Sequence, residues 1–406
     1  MLGKCTRFLP LPRVWVGQIC FRSTVMEHVM TDNIIIVGSG FAARQVVKNI
    51  RKLDPQVPIQ MIAADSGVDY NKPDLSHVFS LQQSADDLTR LSAEKFAEEN
   101  NLTLHTAMLV TAIERHTKRV FCGDRAFNYH KLVLATGASA LVPTVPGSEM
   151  IVTFNSQNEY RQHQDMLQKA SRVLVLGGGL IGTELAMDLQ RSGKQVILVD
   201  KAHSLLASVM PVEISSRLQH RLSQRGVTLV FNQELRGVMK VANGLRVELG
   251  SGQTYTVDAV IAAIGLKPKT ALAAAAGLDI GRGIKVNNQL QTADPDIFAV
   301  GDCAEVEGKV LPFLQPILVG AMTLAKNILG GATSLTLPPM LVKVKTPDLP
   351  LYFAGETNRE DLHWEICLTP QGIVARGTDS SHQLRGFVVS EEQTQQAFPL
   401  LRELSV

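Results

Sequence analysis

Asn33-Ile34-Ile35-Ile36-Val37-Gly38-Ser39-Gly40-Phe41-Ala42-Ala43 decides the fold, because its pattern changes halfway along. The first half is an unbroken apolar run rich in β-branched side chains, which suits a parallel strand buried on both faces. Gly-x-Gly-x-x-Ala then breaks that run into a tight turn and the start of a helix. Gly38 permits the reversal, Gly40 lets backbone approach a pyrophosphate, and Ala43 allows close helix–strand contact. The helix N-terminus aims free N–H groups and the positive end of its dipole at the same point. Taken alone, the turn reads equally as a structural turn or a dinucleotide site, since context has to confirm it.

Bulk properties narrow the context. A chain of 406 residues suggests two to three domains. Its 45% hydrophobic and 19% charged residues describe a folded globular protein. A net charge of +2 makes no case for nucleic acid. No apolar run approaches the roughly 18 residues of a spanning helix, so no membrane segment is expected and the protein reads as cytoplasmic. Cys5, Cys20, Cys122, Cys303 and Cys367 are scattered, against a disulfide framework, a metal site or a redox dithiol. Residues 1–30 are basic, with Lys4, Arg7, Arg13 and Arg22 before the first acid, Glu27. Pro10 and Pro12 interrupt any signal-peptide core, so this stretch reads as an extension upstream of a start at Met26 or Met30 rather than a targeting segment.

After the opening turn, a helix is expected with Val46, Val47 and Ile50 inward and Arg44, Lys48, Arg51 and Lys52 outward, stopped by Pro55 and Pro58. Ile59 to Ala64 reads as the next strand, ending at Asp65, a ribose-binding candidate although 27 residues beyond Gly38. Gln82 to Asn101 reads as a polar helical segment, Leu104 to Glu114 and Val120 to Phe127 as strands. Leu132-Val133-Leu134-Ala135-Thr136-Gly137 reads as a buried strand closing on small residues.

The glycine pattern recurs in full at Arg172-Val173-Leu174-Val175-Leu176-Gly177-Gly178-Gly179-Leu180-Ile181-Gly182-Thr183-Glu184. A helix capped by Gly193 follows, then a strand ending in Asp200, 23 residues after Gly177. Strand, turn, helix, strand and acid stand in the order a dinucleotide unit requires. An acid there accepts from both ribose hydroxyls and repels a 2′-phosphate, favouring NADH over NADPH. Asp258 to Gly265 closes on Ile264 and Gly265 as Leu132 to Gly137 closes on its glycine, so the chain reads as an internal duplication with a 139-residue period. Ile297 to Val300 ends in Gly301-Asp302. Residues 331–406 hold short β-like runs among Pro338, Pro339, Pro347 and Pro350.

Together these motifs resemble the pyridine nucleotide-disulfide oxidoreductase superfamily, most closely its NADH-dependent rubredoxin reductase branch. Ile36 to Gln45, Tyr70-Asn71-Lys72-Pro73-Asp74-Leu75-Ser76-His77 and Leu311-Pro312-Phe313-Leu314-Gln315-Pro316-Ile317 are similar to the flavorubredoxin reductases of anaerobic nitric oxide detoxification. The resemblance implies an α/β fold with two Rossmann-like domains plus a small α+β C-terminal domain. FAD would occupy residues 31–145 and 267–330, NAD residues 146–266, and the last domain residues 331–406. It implies FAD contacts at Gly38, Ser39, Gly40, Phe41, Ala42, Asp65, Lys72, Pro73, Ala135, Thr136, Gly137, Asp302 (on the ribitol) and Gln315. NAD contacts would be Gly177, Gly179, Leu180, Ile181, Gly182, Glu184, Asp200, Ile264 and Gly265.

The resemblance also assigns catalysis to Lys72 and Glu184, which meet beside the flavin in that family. From spacing alone, Lys72 reads equally as a solvated loop lysine and Glu184 as a first-turn acid favoured by the helix dipole. Positions 66–80 hold no cysteine, a departure from the disulfide and peroxidase branches that removes any thiol relay. Electrons would pass straight to an outside acceptor, a rubredoxin or flavorubredoxin. Such acceptors are acidic, so Arg44, Lys48, Arg51, Lys52 and Lys326 form a candidate docking patch, or else an ordinary solvated face. Two other readings stay open: a reductase serving a ferredoxin, and a non-turnover NADH-sensing scaffold resembling apoptosis-inducing factor.

Overall fold

A computed structural model describes residues 33–347 and 349–404. The basic leader of residues 1–30 lies outside the described residues. Ile34–Val37 sits at the centre of a five-stranded parallel sheet, between Ile59–Ile62 and Lys131–Leu134, with Thr103–His105 and Ile297–Ala299 at the edges. All four of its side chains are buried, which is why the run shows no polar alternation. The chain leaves this strand toward one neighbour and the other arrives nearly a hundred residues later. The Gly38–Gly40 turn therefore lies at a topological switch point, where open α/β sheets bind ligands.

A second parallel sheet repeats the plan in the order Ile151–Thr153, Ala259–Ala262, Arg172–Leu176, Gln195–Val199, Thr228–Val230. A two-stranded antiparallel ribbon, Ala138–Ala140 against Leu266–Pro268, joins the two units. The Thr136 hydroxyl donates to the Lys269 carbonyl at 2.9 Å across the same crossing.

Two helical and strand expectations need correction. Gln82 to Asn101 is not one helix. Thr89–Leu91 pairs with Asp69–Tyr70 as a short ribbon, and a helix begins only at Ala93, where Ser92 caps the Lys95 N–H. Leu104 to Glu114 splits at Ala107, whose φ is +52°, so Thr103–His105 joins the parallel sheet and Ala112–Glu114 a small antiparallel one.

Arg44 is the third correction. The helix Phe41–Leu53 buries Ala43, Val46, Val47 and Ile50, but Arg44 is buried with them. At 100° per residue Arg44 lies on the flank of that apolar stripe, not opposite it. Its guanidinium stacks 4.2 Å from the Phe96 ring centroid. Its Nε donates to the Ser39 carbonyl at 2.9 Å, and Nη2 donates to the Gly67 carbonyl. Arg51, on the same flank, is half-buried and caps the Asn100 and Asn101 carbonyls at 2.6 and 2.7 Å. Lys48, Lys52 and Lys326 are exposed.

The C-terminal part is a five-stranded antiparallel sheet in the order Leu341–Val344, Leu351–Gly355, Leu384–Ser390, Gly372–Thr378, His363–Thr369, closed by the helix Ala397–Glu403. Val344, Leu349, Leu351 and Phe353 share one buried cluster with Leu75, Val78, Phe79, Leu185 and Ala186. That shared core fixes the sheet against both the segment after Lys72 and the helix after Gly177.

Candidate active site

The two glycine turns are built alike. Gly38 has φ +122°, and a Cβ there would lie 2.3 Å from the Ala135 carbonyl oxygen. Gly177 has φ +110°, and its Cβ would lie 2.5 Å from the Ala263 carbonyl oxygen. Each first glycine is thus required by a strand end running alongside it. The third position obeys the same logic: a Cβ on Gly182 would lie 1.9 Å from the Gly177 carbonyl, whereas Ala43 is accommodated in a buried site.

The middle glycines differ in kind. A Cβ on Gly40 or Gly179 meets nothing within 4 Å, so neither is demanded by protein packing. Both are N-caps without a side-chain cap bond, and neither following helix has an acid in its first turn. Ser92 and Ser156, by contrast, cap their own helices. Helix donors left open beside a glycine form the cradle a dinucleotide pyrophosphate fits.

Each turn is braced by the acid at the end of the next strand. Asp65 Oδ1 accepts from the Ser39 hydroxyl at 2.7 Å and from the Gly67 N–H at 2.9 Å. Asp200 accepts from the Gly178 N–H and, at 2.7 Å, from the Ala202 N–H. The long spacing to Asp65 therefore still delivers the carboxylate to its own turn. Phe41 and Ala42 open the first helix and Leu180 and Ile181 the second; Ile181 is exposed. Ala42 packs under Gly301, where a Cβ would lie 2.7 Å from the Ala42 Cβ. That contact brings the Gly301-Asp302 turn onto the first glycine helix. Gly137 and Gly265 take positive φ at the ends of their strands, with Ile264 exposed beside the latter, and Gln315 lies exposed in the first turn of the helix Leu314–Ile328.

Lys72 and Glu184 do not form the ion pair the resemblance implied. Lys72 opens the short helical turn Lys72–His77, with Pro73 in its first turn, and its ammonium stands 3.7 Å from Asp302 Oδ2. Burial lowers the Lys72 pKa from its ordinary value, while the Asp302 and Glu159 carboxylates push it up. Glu184 is buried, with both oxygens already engaged. Oε1 accepts from the Lys345 backbone N–H at 2.8 Å, and Oε2 lies 2.9 Å from the Ser76 hydroxyl. It is the fifth residue of the helix Leu180–Arg191, beyond its first turn.

Several contributors carried little sequence signal. Glu159 belongs to Ser156-x-x-Glu159, a capping-box pattern that could have been read: its N–H donates to Ser156 Oγ at 3.1 Å and its Oε2 accepts from the Asn155 N–H at 2.8 Å. Ser76 and Lys345 had no such signature. Cys303 is fully buried with Sγ 3.4 Å from the Leu134 and Val300 carbonyls, and burial pushes its thiol pKa up, as for an inert core cysteine.

Two nucleotide cradles facing a shared lysine–carboxylate cluster define an α/β oxidoreductase of the two-dinucleotide class. The sequence matches the pyridine nucleotide-disulphide oxidoreductase family over residues 32–327, and the chain belongs to that family. Residues 334–404 match the rubredoxin binding C-terminal domain. A nitric oxide reductase FlRd-NAD(+) reductase of Pectobacterium atrosepticum is 56% identical over 376 residues, 93% of this chain and 99% of that protein. A protein of the same name from Escherichia coli O157:H7 is 57% identical over 377 residues, covering 93% of this chain and all of the relative. Among solved structures, a ferredoxin reductase from Rhodopseudomonas palustris superposes with a TM-score of 0.84 at 26% identity, covering 92% of this chain and 96% of that one. No described helix is long and apolar enough to cross a membrane.

Proposed function

We propose that this protein oxidises NADH and passes the electrons, through FAD, to a rubredoxin or to the rubredoxin centre of a flavorubredoxin, in the service of nitric oxide detoxification in the cytoplasm. The observation that carries this reading is the rubredoxin binding domain over residues 334–404, joined to a two-cradle core in a chain 56% identical to a reductase of that name. FAD, when bound, supplies the exchange between a two-electron donor and a one-electron acceptor.

The protein's part is binding, orientation and charge. Gly38 to Ala42 and the helix they open would hold the FAD pyrophosphate, Asp65 the adenosine ribose and Asp302 the ribitol. Gly177 to Gly182 would hold the NADH pyrophosphate and Asp200 its ribose, with Glu184 lining the nicotinamide pocket. Lys72 would present a cation to the flavin and favour its reduced, anionic form, with Asp302 keeping the ammonium charged and in place. Lys48, Lys52 and Lys326, with the exposed Leu314, Leu318 and Met322 along the helix Leu314–Ile328, offer a basic rim around an apolar stripe to an acidic acceptor.

Steady-state NADH oxidation with rubredoxin, a flavorubredoxin domain, a ferredoxin and oxygen tests the reading. The rubredoxin-type acceptors should give the highest kcat/KM. Preference for the ferredoxin, or no turnover with any acceptor, would reject it.

A further inference from the structure

One residue of the C-terminal sheet reaches both halves of the candidate site. Lys345 directly follows the strand Leu341–Val344 and lies within the segment matching the rubredoxin binding domain. Its backbone N–H donates to Glu184 Oε1 at 2.8 Å. Its ammonium donates to the Pro73 carbonyl at 2.8 Å and stands 3.9 Å from Asp74 Oδ1. Pro73 is the residue after Lys72, so a single side chain and its own amide join the acceptor-type domain to the flavin-side lysine turn and the nicotinamide-side acid.

The surroundings are arranged so that this tie has consequences. Ser76 Oγ lies 2.9 Å from Glu184 Oε2 and 3.1 Å from the Pro73 carbonyl, and its one proton serves only one of them at a time. Asp188, one turn along from Glu184, fastens the same segment by accepting from the Phe79 and Ser80 N–H groups at 2.8 and 3.2 Å. A cavity of about 200 Å³ opens at the junction, lined by His77, Ser80, Glu184, Asp188, Arg191 and Lys345. Close-packed walls would resist displacement; this junction has room for the strand end to shift against the helix. If Lys345 moves, a buried carboxylate oxygen loses its donor, an outcome costly enough to bias where Glu184 sits.

We propose that Lys345 is a positioning residue that couples acceptor docking to the nicotinamide-side site. This rests on the reading of residues 334–404 as the acceptor's domain. Docking that holds the sheet in place holds Lys345, and Lys345 holds Glu184 and the Pro73 carbonyl in the arrangement that receives the dinucleotide. Linkage makes the effect mutual: acceptor tightens dinucleotide binding by the same factor that dinucleotide tightens acceptor binding.

The test uses the full-length holoprotein in its oxidised form with two redox-inert ligands, NAD+ and a zinc-substituted rubredoxin, and reads dissociation constants by calorimetry. In the unmodified protein, saturating rubredoxin should tighten NAD+ binding by about fivefold, and NAD+ should tighten rubredoxin by the same factor. Lys345→Met should bring that factor below about twofold, and Lys345→Arg, which keeps a donor for the Pro73 carbonyl, should retain it. A merely structural Lys345 would alter each affinity alone and leave their ratio intact. A factor of one in the unmodified protein, a loosening in place of a tightening, or full coupling in Lys345→Met would overturn the proposal. Absence of any rubredoxin binding would instead overturn the acceptor reading on which it stands.

Discussion

The Lys72 ammonium and the Asp302 carboxylate stand 3.7 Å apart, joining the turn after the first nucleotide-binding unit to the Gly-Asp turn that returns to it more than two hundred residues later. Burial works against the charged lysine, and Asp302 is its strongest counterweight. Removing that counterweight lowers the Lys72 pKa further, so in Asp302→Asn the alkaline loss of NADH-driven flavin reduction should begin at lower pH. Lys72→Met removes the cation and its burial cost together. It should slow single-turnover reduction by at least about tenfold while leaving the melting temperature unlowered. Stopped-flow bleaching of the flavin across a pH series measures both, and an unchanged rate in Lys72→Met would remove the lysine from the mechanism.

Gly38 and Gly40 should answer differently to the same methyl group. In Gly38→Ala the methyl strikes the Ala135 carbonyl at a positive φ, which should cost about 2–4 kcal/mol of stability and FAD along with it. Gly40→Ala meets no protein atom, so stability of the FAD-free protein should change by no more than about 0.5 kcal/mol while FAD affinity falls. Gly179→Ala should reproduce this for NAD+ and leave FAD content intact. Thermal melts and reconstitution titrations distinguish the two classes. Equal FAD affinity in Gly40→Ala would mean that the turn does not face the pyrophosphate.

What the sequence made legible is local and periodic. The two buried runs, their glycine turns and the strand-terminal acids announce themselves because each needs a particular residue at a fixed offset within a single unit. The failures are contacts made across units. Arg44 read as outward because its charge suggested solvent, yet its place on the flank of the stripe let the guanidinium lie on Phe96, 52 residues away. Glu184 was assigned a lysine partner and found instead an amide of Lys345, 161 residues on. A backbone N–H has no residue type, so no sequence pattern reports it.

Asp258 ties the start of the strand Arg172–Leu176 to the foot of Ala259–Ala262, and its protonation should be visible in stability. Hydrogen bonds from the Arg172 guanidinium, then from the Arg172 and Ser171 N–H groups, hold its carboxyl down to about 2. A carboxylate depressed in the folded state contributes stability above its unfolded pKa of about 4, lost as pH falls from about 4 to about 2. With the pair partly solvated, that contribution should be about 1–2 kcal/mol. Asp258→Asn should therefore destabilise at pH 7 by that amount and converge with the unmodified protein near pH 2. A constant gap across that range would show that charge plays no part.

The acceptor face should separate lysines that meet solvent from arginines that do not. Lys48 and Lys52 on one helix and Lys326 on the neighbouring one are exposed, and the two helices Phe41–Leu53 and Leu314–Ile328 pack together, so the three charges share one side of the FAD unit. Steering by such a patch weakens as ionic strength shortens the Debye length from about 30 Å at 0.01 M to about 10 Å at 0.1 M. Replacing all three lysines by glutamine should lower the rubredoxin association rate at low salt by about tenfold and flatten its salt dependence. Arg44→Lys is the informative control. Its guanidinium is buried against Phe96 and two carbonyls, so the change should lower stability or FAD retention and leave the salt slope untouched. Stopped-flow association at several salt concentrations reads the slope directly, and a steep slope surviving the triple lysine change would place the docking surface elsewhere.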